Sequence, residues 1–586
     1  MRKPSRLLLF SIAVGHALAL TISAQVTGTS AAPSGVITGR VSSSTGDLPN
    51  NAVVYASASG ITLGPPRTTV VNSDGSFKID SLEVGVYRVW ASASGFVADV
   101  PLGTDTRGFV HTGESINFRL RKGGVITGTV LTGNNSPVVG ASVRAFRVRD
   151  EAGKAVEISP SFTERFTDDR GVYRIYGLTP GTYVVAVGGG SRFFGSVGTT
   201  GFDQDAPTYA PSSTRDTAME ISVRSGDEAT ADIQYRGEPG HAISGRVNGI
   251  VQTAAGIISS ATITVTDVKS RTVLMTSSTS SFTEYAFALF GVPDGEYEVV
   301  AQNFSGQTRD TKASEGKRVK VQGADVTGVI LTVAPLPGIS GRVVLDNFTA
   351  ECVAPRDTAL QETIIFGRRD KQSAKSADAK TNTATEPVPL IFADQAADAV
   401  ADAKGDFVLR SLHAGTYRLG VTLPGTRWYL KSLTLGTNPR NADSRIISDG
   451  ITLNTQSVSG INITISEGAA LVRGTLVTSE GQPVKDRMVI YFVPAEKENA
   501  SNLLRYFESR SEADGKFELR NVPPGEYLLI PLSTDENRQP GILIRQDASL
   551  RADIVRDAQK LNQRLALKPC ERIDNLELPN QLSVKQ

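Results

Sequence analysis

The sequence predicts an all-β chain, a tandem array of about five small β-sandwich repeats. Three observations carry that prediction. A short alternating strand centred on a glycine opens five times: GVITGRV at 35, GVITGTV at 124, HAISGRV at 241, GISGRV at 338 and ALVRGTLV at 470. A closing block recurs at constant spacing, an aromatic residue followed by a glycine and then a tyrosine. Its members are Phe77, Gly85 and Tyr87; Tyr173, Gly181 and Tyr183; Phe287, Gly295 and Tyr297; Phe407, Gly415 and Tyr417; Phe517, Gly525 and Tyr527. Finally, 56 glycines with Thr- and Val-rich runs favour short strands and turns over helices. At 586 residues the chain is too long for one core, and fixed-period self-similarity is the signature of a repeat architecture.

From the N-terminus, residues 1–24 read as a signal peptide. Lys3 and Arg6 precede the apolar run 7–20, and small residues lead to Ala24 as the residue before cleavage. The run is shorter than the ~20 apolar residues a membrane span needs, and no later segment could span as a helix. The repeats follow at 33–121, 122–236, 237–335, 336–466 and 467–586, the last including a C-terminal tail. The fourth carries a polar, low-complexity insertion at 368–387, read as a mobile loop. One helix is expected near the end, around 548–565.

Within a repeat the physics can be read locally. Phe77 and Ile79, like Tyr173 and Ile175, alternate with period two, as a half-buried strand requires. Gly75, Gly171, Gly405 and Gly515 sit in a turn two residues ahead of the aromatic; the third repeat has Tyr285 there, so a different turn is expected. Pro180-Gly181 and Pro524-Gly525 predict type II turns with positive φ at glycine. The tyrosine then starts a new strand, its ring facing the core and its hydroxyl seeking a backbone partner. A further alternating strand (INFRL at 116, ADIQY at 231, GVILTV at 328, INITI at 461) leads into the next opening strand. Joints this short predict an elongated rod.

The opening G-x-V/I-x-G-x-V, the DxxGxF-like turn and the PGxY closure resemble carboxypeptidase regulatory-like domains. The resemblance covers about residues 33–540 and extends to the multi-domain exported proteins of acidobacteria that carry such repeats. It implies transthyretin-like sandwiches, a carbohydrate-binding-like fold outside the cytoplasm, and no catalysis by the repeat itself.

His111 and Glu114, with His241 downstream, are the only combination with a zinc-like donor set. The slot of His111 and Glu114 is a generic polar turn in other repeats, so zinc and a carboxypeptidase-like enzyme are disfavoured. His413 reads as a solvated turn residue. With few, scattered histidines there is little material for a nucleophilic triad, and no P-loop or dinucleotide-binding glycine pattern occurs. Asp74, Asp168, Asp169, Asp402 and Asp514 cluster at equivalent turns, where side-chain-to-backbone bonding competes with calcium as the explanation. Cys352 and Cys570 either pair or stand as free thiols.

No cofactor is expected. A net charge of +1 offers no field to recruit nucleic acid. Sugar binding would need exposed aromatic platforms, and Trp428 with Tyr429 is the first candidate, followed by Phe193, Phe194, Tyr209, Tyr506 and Phe507. Trp90 reads as continuation of the first closing strand. The expectation is an exported, periplasmic or extracellular, non-enzymatic binding or scaffold protein, with polysaccharide or envelope proteins as partners and carbohydrate binding as the alternative.

Overall fold

In a computed structural model, residues 34–580 are described apart from breaks at 59–64, 99–108, 157–162, 190–200, 251–258, 306–309, 353–355, 371–396, 437–442 and 534–542 and a few isolated positions. The signal-peptide reading, most of the insertion at 368–387, and Phe193 and Phe194 lie outside the described residues.

The strands assemble into ten sheets, two for each repeat, and five separate buried cores lie between the members of each pair. In the first repeat, Ser34–Ser43 lies between Ser76–Glu83 and Ser115–Lys122; Phe96–Ala98 completes that sheet. The facing sheet runs Arg67–Val70, Val53–Ala58, Val86–Ser92 and Phe109–His111. Ser34–Ser43 pairs antiparallel with Ser76–Glu83 and parallel with Ser115–Lys122. All five repeats keep this pattern, so the strand that ends a repeat lies parallel to the one that opened it. In the fifth repeat that strand is Arg572–Pro579, and Gln563–Leu567 closes the other sheet. Residues read as a tail therefore complete a sandwich. The helix expected near the end spans Ala548–Leu561, capped by Asp547, whose carboxylate accepts the N–H of Ser549 and Leu550.

The glycine of every opening strand stands directly across from the aromatic of the closing strand: Gly39 with Phe77, Gly128 with Tyr173, Gly245 with Phe287, Gly341 with Phe407, Gly474 with Phe517. A Cβ at Gly39 would fall 1.8 Å from the Ile116 carbonyl oxygen and 2.8 Å from the Phe77 ring; at Gly474 it would meet Leu576 O at 2.4 Å and Phe517 at 2.7 Å. Glycine lets the parallel neighbour approach and the ring cover the strand, which is why the two positions keep a fixed spacing.

The turn before the aromatic is closed by aspartate. Asp168 Oδ1 accepts the N–H of Arg170 and Val172, Asp402 Oδ1 those of Lys404 and Asp406, Asp74 Oδ1 that of Ser76 and Asp514 Oδ1 that of Lys516. Side-chain hydrogen bonds from Ser76, Arg170 and Lys516, reinforced by those backbone bonds, hold the carboxyls of Asp74, Asp168 and Asp514 below the usual range. In the third repeat Tyr285 takes the glycine's place at φ 60°, and its carbonyl still accepts Val247 N–H at 2.9 Å, as Gly75 O accepts Val41 N–H at 2.8 Å. The side chain differs while the backbone hydrogen bond is kept.

The Pro-Gly segment is not the tight type II turn expected: its flanking strands belong to different sheets, so it is an arch between layers. Gly181, Gly415 and Gly525 have φ of 154°, 149° and 147°, far from the ~80° of a type II turn. The left-handed residue falls earlier, four positions past the aromatic, at Ser81, Gly177, Gly291, Ser411 and Asn521 (φ 55° to 73°). In the first, second, third and fifth repeats it coincides with a register shift, a bulge, and in all five the next residue, Leu82, Leu178, Val292, Leu412 or Val522, is buried in the core. The tyrosine locks the arch, its hydroxyl donating to the carbonyl four residues back: Tyr87 to Glu83, Tyr183 to Thr179, Tyr297 to Pro293, Tyr417 to His413 and Tyr527 to Pro523.

The array is not an extended rod. Val86 and Phe109 of the first repeat form one buried cluster with Ile364 of the fourth, and Val400 packs against it. Arg88 pairs with Asp398 at 3.5 Å, and His111 Nε2 lies 3.2 Å from the Glu362 carbonyl. The prediction failed because it followed the joints between successive repeats, whereas the bend is fixed by an apolar patch on the outer face of a sheet. Successive joints are also packed. Arg144, 1% exposed, reaches from the second repeat to Leu274 O of the third while holding Gly188 O and Gly189 O.

Cys352 and Cys570 form a disulfide with Cα atoms 5.7 Å apart. Beside it, the Glu467 side chain is fully buried and ion-paired with Arg356 at 2.6 Å. Asn521 donates to Gly425 O and Trp428 O, both at 2.7 Å, fastening the bulge of the fifth repeat to the fourth.

Candidate functional site

Trp428 is not a platform. It is 1% exposed within the fourth core, paired across the strands with Glu467 and covered by the Arg356 guanidinium at 5.8 Å. Tyr429, its neighbour on the same strand, is half-buried. A strand alternates its faces, so adjacent residues cannot present two rings to one ligand. Tyr209 and Tyr506 are buried beneath Arg215 and Arg551, and Tyr506 donates to Ala500 O.

The zinc-like residues do not converge. His241 faces Asp294 and Asp325 in the third repeat, whereas His111 Nδ1 faces Glu114 at 3.4 Å in the first. Among the described residues no group of three or more potential ligands could hold a metal ion. His413 is partly buried rather than solvated, and desolvation reinforced by Arg369 pushes its imidazole down to about 4, so it is neutral at physiological pH.

The turn of His111 and Glu114 does contribute to a cavity of about 480 Å³ where the first, fourth and fifth repeats meet. The first repeat supplies Phe109, His111 and Glu114, positioned by the strand Phe109–His111 and the turn after it. The fourth contributes Phe366, Leu419, Leu423 and Leu430; Gly420 makes room for the Phe366 ring, which a Cβ there would meet at 2.0 Å. The fifth adds Leu504, Phe507, Arg520, Asn521 and Arg545. Burial disfavours a charged His111, but the Glu114 carboxylate and the Glu362 carbonyl outweigh it and raise the pKa. Glu114 is lowered in turn: burial opposes its charge, and bonding to His111 overcomes that. Arg545 donates to Tyr506 O at 2.8 Å and stacks on Phe507 at 4.9 Å; desolvation, partly opposed by Glu508, pushes its guanidinium down to about 10.

A second feature lies on the outer face of the first repeat. Tyr55 and Trp90 pair across neighbouring strands with rings 5.2 Å apart and 4° from parallel, and Trp90 is 38% exposed. Its signal was present in the sequence: Tyr87, Val89 and Ala91 face the core, so period two turns Trp90 outward.

Residues 36–117, the first repeat from its opening strand into its last, match the carboxypeptidase regulatory-like domain family. Among solved structures, the Bacillus anthracis TIE protein is 16% identical over 51% of this chain and 51% of its own, with a TM-score of 0.14. The chain thus spans about half the length of that protein. The streptococcal ancillary pilin is 10% identical over 52% of this chain and 100% of its own, TM-score 0.14. BcpA, the major pilin subunit of Bacillus cereus, is 9% identical over 52% of this chain and 100% of its own, TM-score 0.12. No curated protein matches the sequence. Among the described residues no helix is long and apolar enough to cross a membrane.

Proposed function

We propose that this chain is an exported, non-enzymatic scaffold and binding protein of the cell envelope or extracellular space, its five sandwich domains folded back so that the first docks on the fourth. One observation carries the reading: the residues that define each repeat are engaged in the fold itself. The tyrosine hydroxyl holds the arch, the aspartate closes the turn, and the glycine admits the neighbouring strand. The family matched by residues 36–117 is a regulatory-like domain with no catalytic role. The disulfide supports export, because such bonds persist in oxidising compartments. Fractionating producing cells, with mass spectrometry of the purified chain, tests this. The expected product lies outside the cytoplasm, begins at Gln25 and is oxidised at both cysteines; a cytoplasmic chain that retains residues 1–24 and free thiols overturns it.

A second reading is carbohydrate binding, favoured by the exposed Tyr55–Trp90 stack, since flat apolar ring faces bury the C–H face of a sugar. A pull-down on insoluble polysaccharides with Trp90→Ala beside the unchanged chain decides it. Binding lost in the variant supports the reading; no binding, or binding that survives, removes it.

A further inference from the structure

The cavity between the first, fourth and fifth repeats has two chemically different surfaces. Its floor is hydrocarbon: Leu419, Leu423, Leu430 and Ile447 belong to the fourth core yet stay only partly buried, with Phe366 and Phe507 beside them. Its polar lining includes Arg368, Arg418, Arg520 and Arg545 together with His111. The single carboxylate among the lining residues, Glu114, already faces His111. Asp370 and Glu518, which bind Arg418 at 2.8 Å and Arg520, are not part of the lining. Arg545 sits where desolvation already strains its charge. A desolvated cation is stabilised by an incoming anion, and guanidinium groups match a carboxylate bidentately.

The same lining disfavours a neutral sugar. The Asn521 amide is occupied by the Gly425 and Trp428 carbonyls, and the polar groups of the lining are mainly cationic guanidinium donors, which match an anion better than a ring of neutral hydroxyls. A cavity of about 480 Å³ is in the range of small-molecule sites, roughly 300–1,000 Å³.

We propose that this cavity binds a small amphipathic carboxylate, its alkyl or aromatic body on the leucine and phenylalanine floor and its head group among the arginines. The inference rests on the folded-back array, because Phe109, His111 and Glu114 belong to the first repeat. It makes the junction a ligand-responsive joint: a molecule that touches all three repeats stabilises their closed arrangement.

The test uses the oxidised mature chain, the fluorescent anion 8-anilinonaphthalene-1-sulfonate as reporter, and decanoate and 1-decanol as competitors with the same alkyl chain. Decanoate is expected to displace the reporter at least ten-fold more effectively than the alcohol. The Arg368→Glu/Arg520→Glu variant alters two exposed arginines and leaves Glu518 bound to Arg473. It is expected to lose at least ten-fold in decanoate affinity with an unchanged melting curve. Should the charge reversal lower the melting temperature, Arg368→Gln/Arg520→Gln serves with a smaller loss in the same direction. Equal displacement by acid and alcohol, unaltered affinity in folded variants, or no reporter binding overturns the proposal. X-ray scattering on the same samples separates the two levels: an extended unmodified chain removes the folded-back array along with the cavity, while a compact chain that does not bind removes only the anion site.

Discussion

Where the fourth repeat meets the fifth, it is held by the Cys352–Cys570 bridge, the buried Glu467 carboxylate against Arg356 and the Asn521 amide. Where it meets the first, it is held by a four-residue apolar patch, the Arg88–Asp398 pair and His111. One junction is covalent and charge-buried. The other is a small hydrophobic contact edged by an ion pair and a titratable group, with no covalent bond across it among the described residues. The contrast teaches that similar sandwiches can be joined permanently on one side and reversibly on the other, according to what lies on their outer faces. Relative domain motion is the default when an interface is small, so motion is expected at the 1–4 contact and not at the 4–5 contact.

The largest effect that would break this comparison comes from the disulfide. Closing 218 residues of separation corresponds to about 5 kcal/mol in the chain-entropy account, the upper end of what such bonds deliver. Cys352→Ser with Cys570→Ser should lower the melting temperature of the last two repeats by calorimetry and leave the transitions of the second and third in place. A single uniform shift of all transitions would mean that the two junctions are not independent. Phe109→Ala comes next, at about 3 kcal/mol for removing a buried ring. It should enlarge the radius of gyration by scattering while the fourth and fifth repeats keep their transition. Glu467→Ala should cost about 2 kcal/mol, less than a fully buried pair because Arg356 retains some exposure. Its effect is confined to the 4–5 side; an expanded chain in scattering would contradict the division drawn above.

The smallest effect is pH. Raised above 6.5 in the folded chain, His111 contributes stability that is complete below 6.5 and lost as pH rises through its folded value. Glu114, lowered from 4.5, contributes stability present above 4.5 and lost as pH falls through its depressed value. The groups facing His111 are Glu114 and Glu362, and Arg520 acts on Glu114. Because His111 and Glu114 are paired within one turn, the first repeat itself should be most stable between about 4.5 and 6.5 and lose stability above that range, read as a fall of its melting transition with rising pH that His111→Gln abolishes. The 4–5 junction should not respond over that range.

The repeat was legible because its signature residues are fixed by contact with one another. Gly39 and Phe77 keep their spacing since one must be small where the other lies over it, and Tyr87 keeps its distance because its hydroxyl must reach Glu83 O. The bulge was not legible: Ser81 and Ser411 adopt left-handed φ with no sequence mark, and only Gly177, Gly291 and Asn521 hint at it. The Pro-Gly sequence predicts a tight turn where the chain makes an arch, because local turn chemistry does not say which sheet the next strand joins. Trp428 is 1% exposed and Trp90 38% for one reason. Aromatic character does not say which way a ring faces, and strand parity separates a core ring from an outward one. The 1–4 contact joins residues about 250 positions apart or more, such as His111 with Glu362, and no local pattern encodes it.

Each repeat ends on a strand that runs alongside, and in the same direction as, the one that began it. Entry and exit thus lie at opposite ends, and copies could be added or removed in frame with no rerouting of the chain. Closure of the first copy on the fourth ends that freedom. An extra copy between them would carry Phe109 past Ile364, and a missing one would leave it short. The contact thus sets a count of copies, and the number it registers is four.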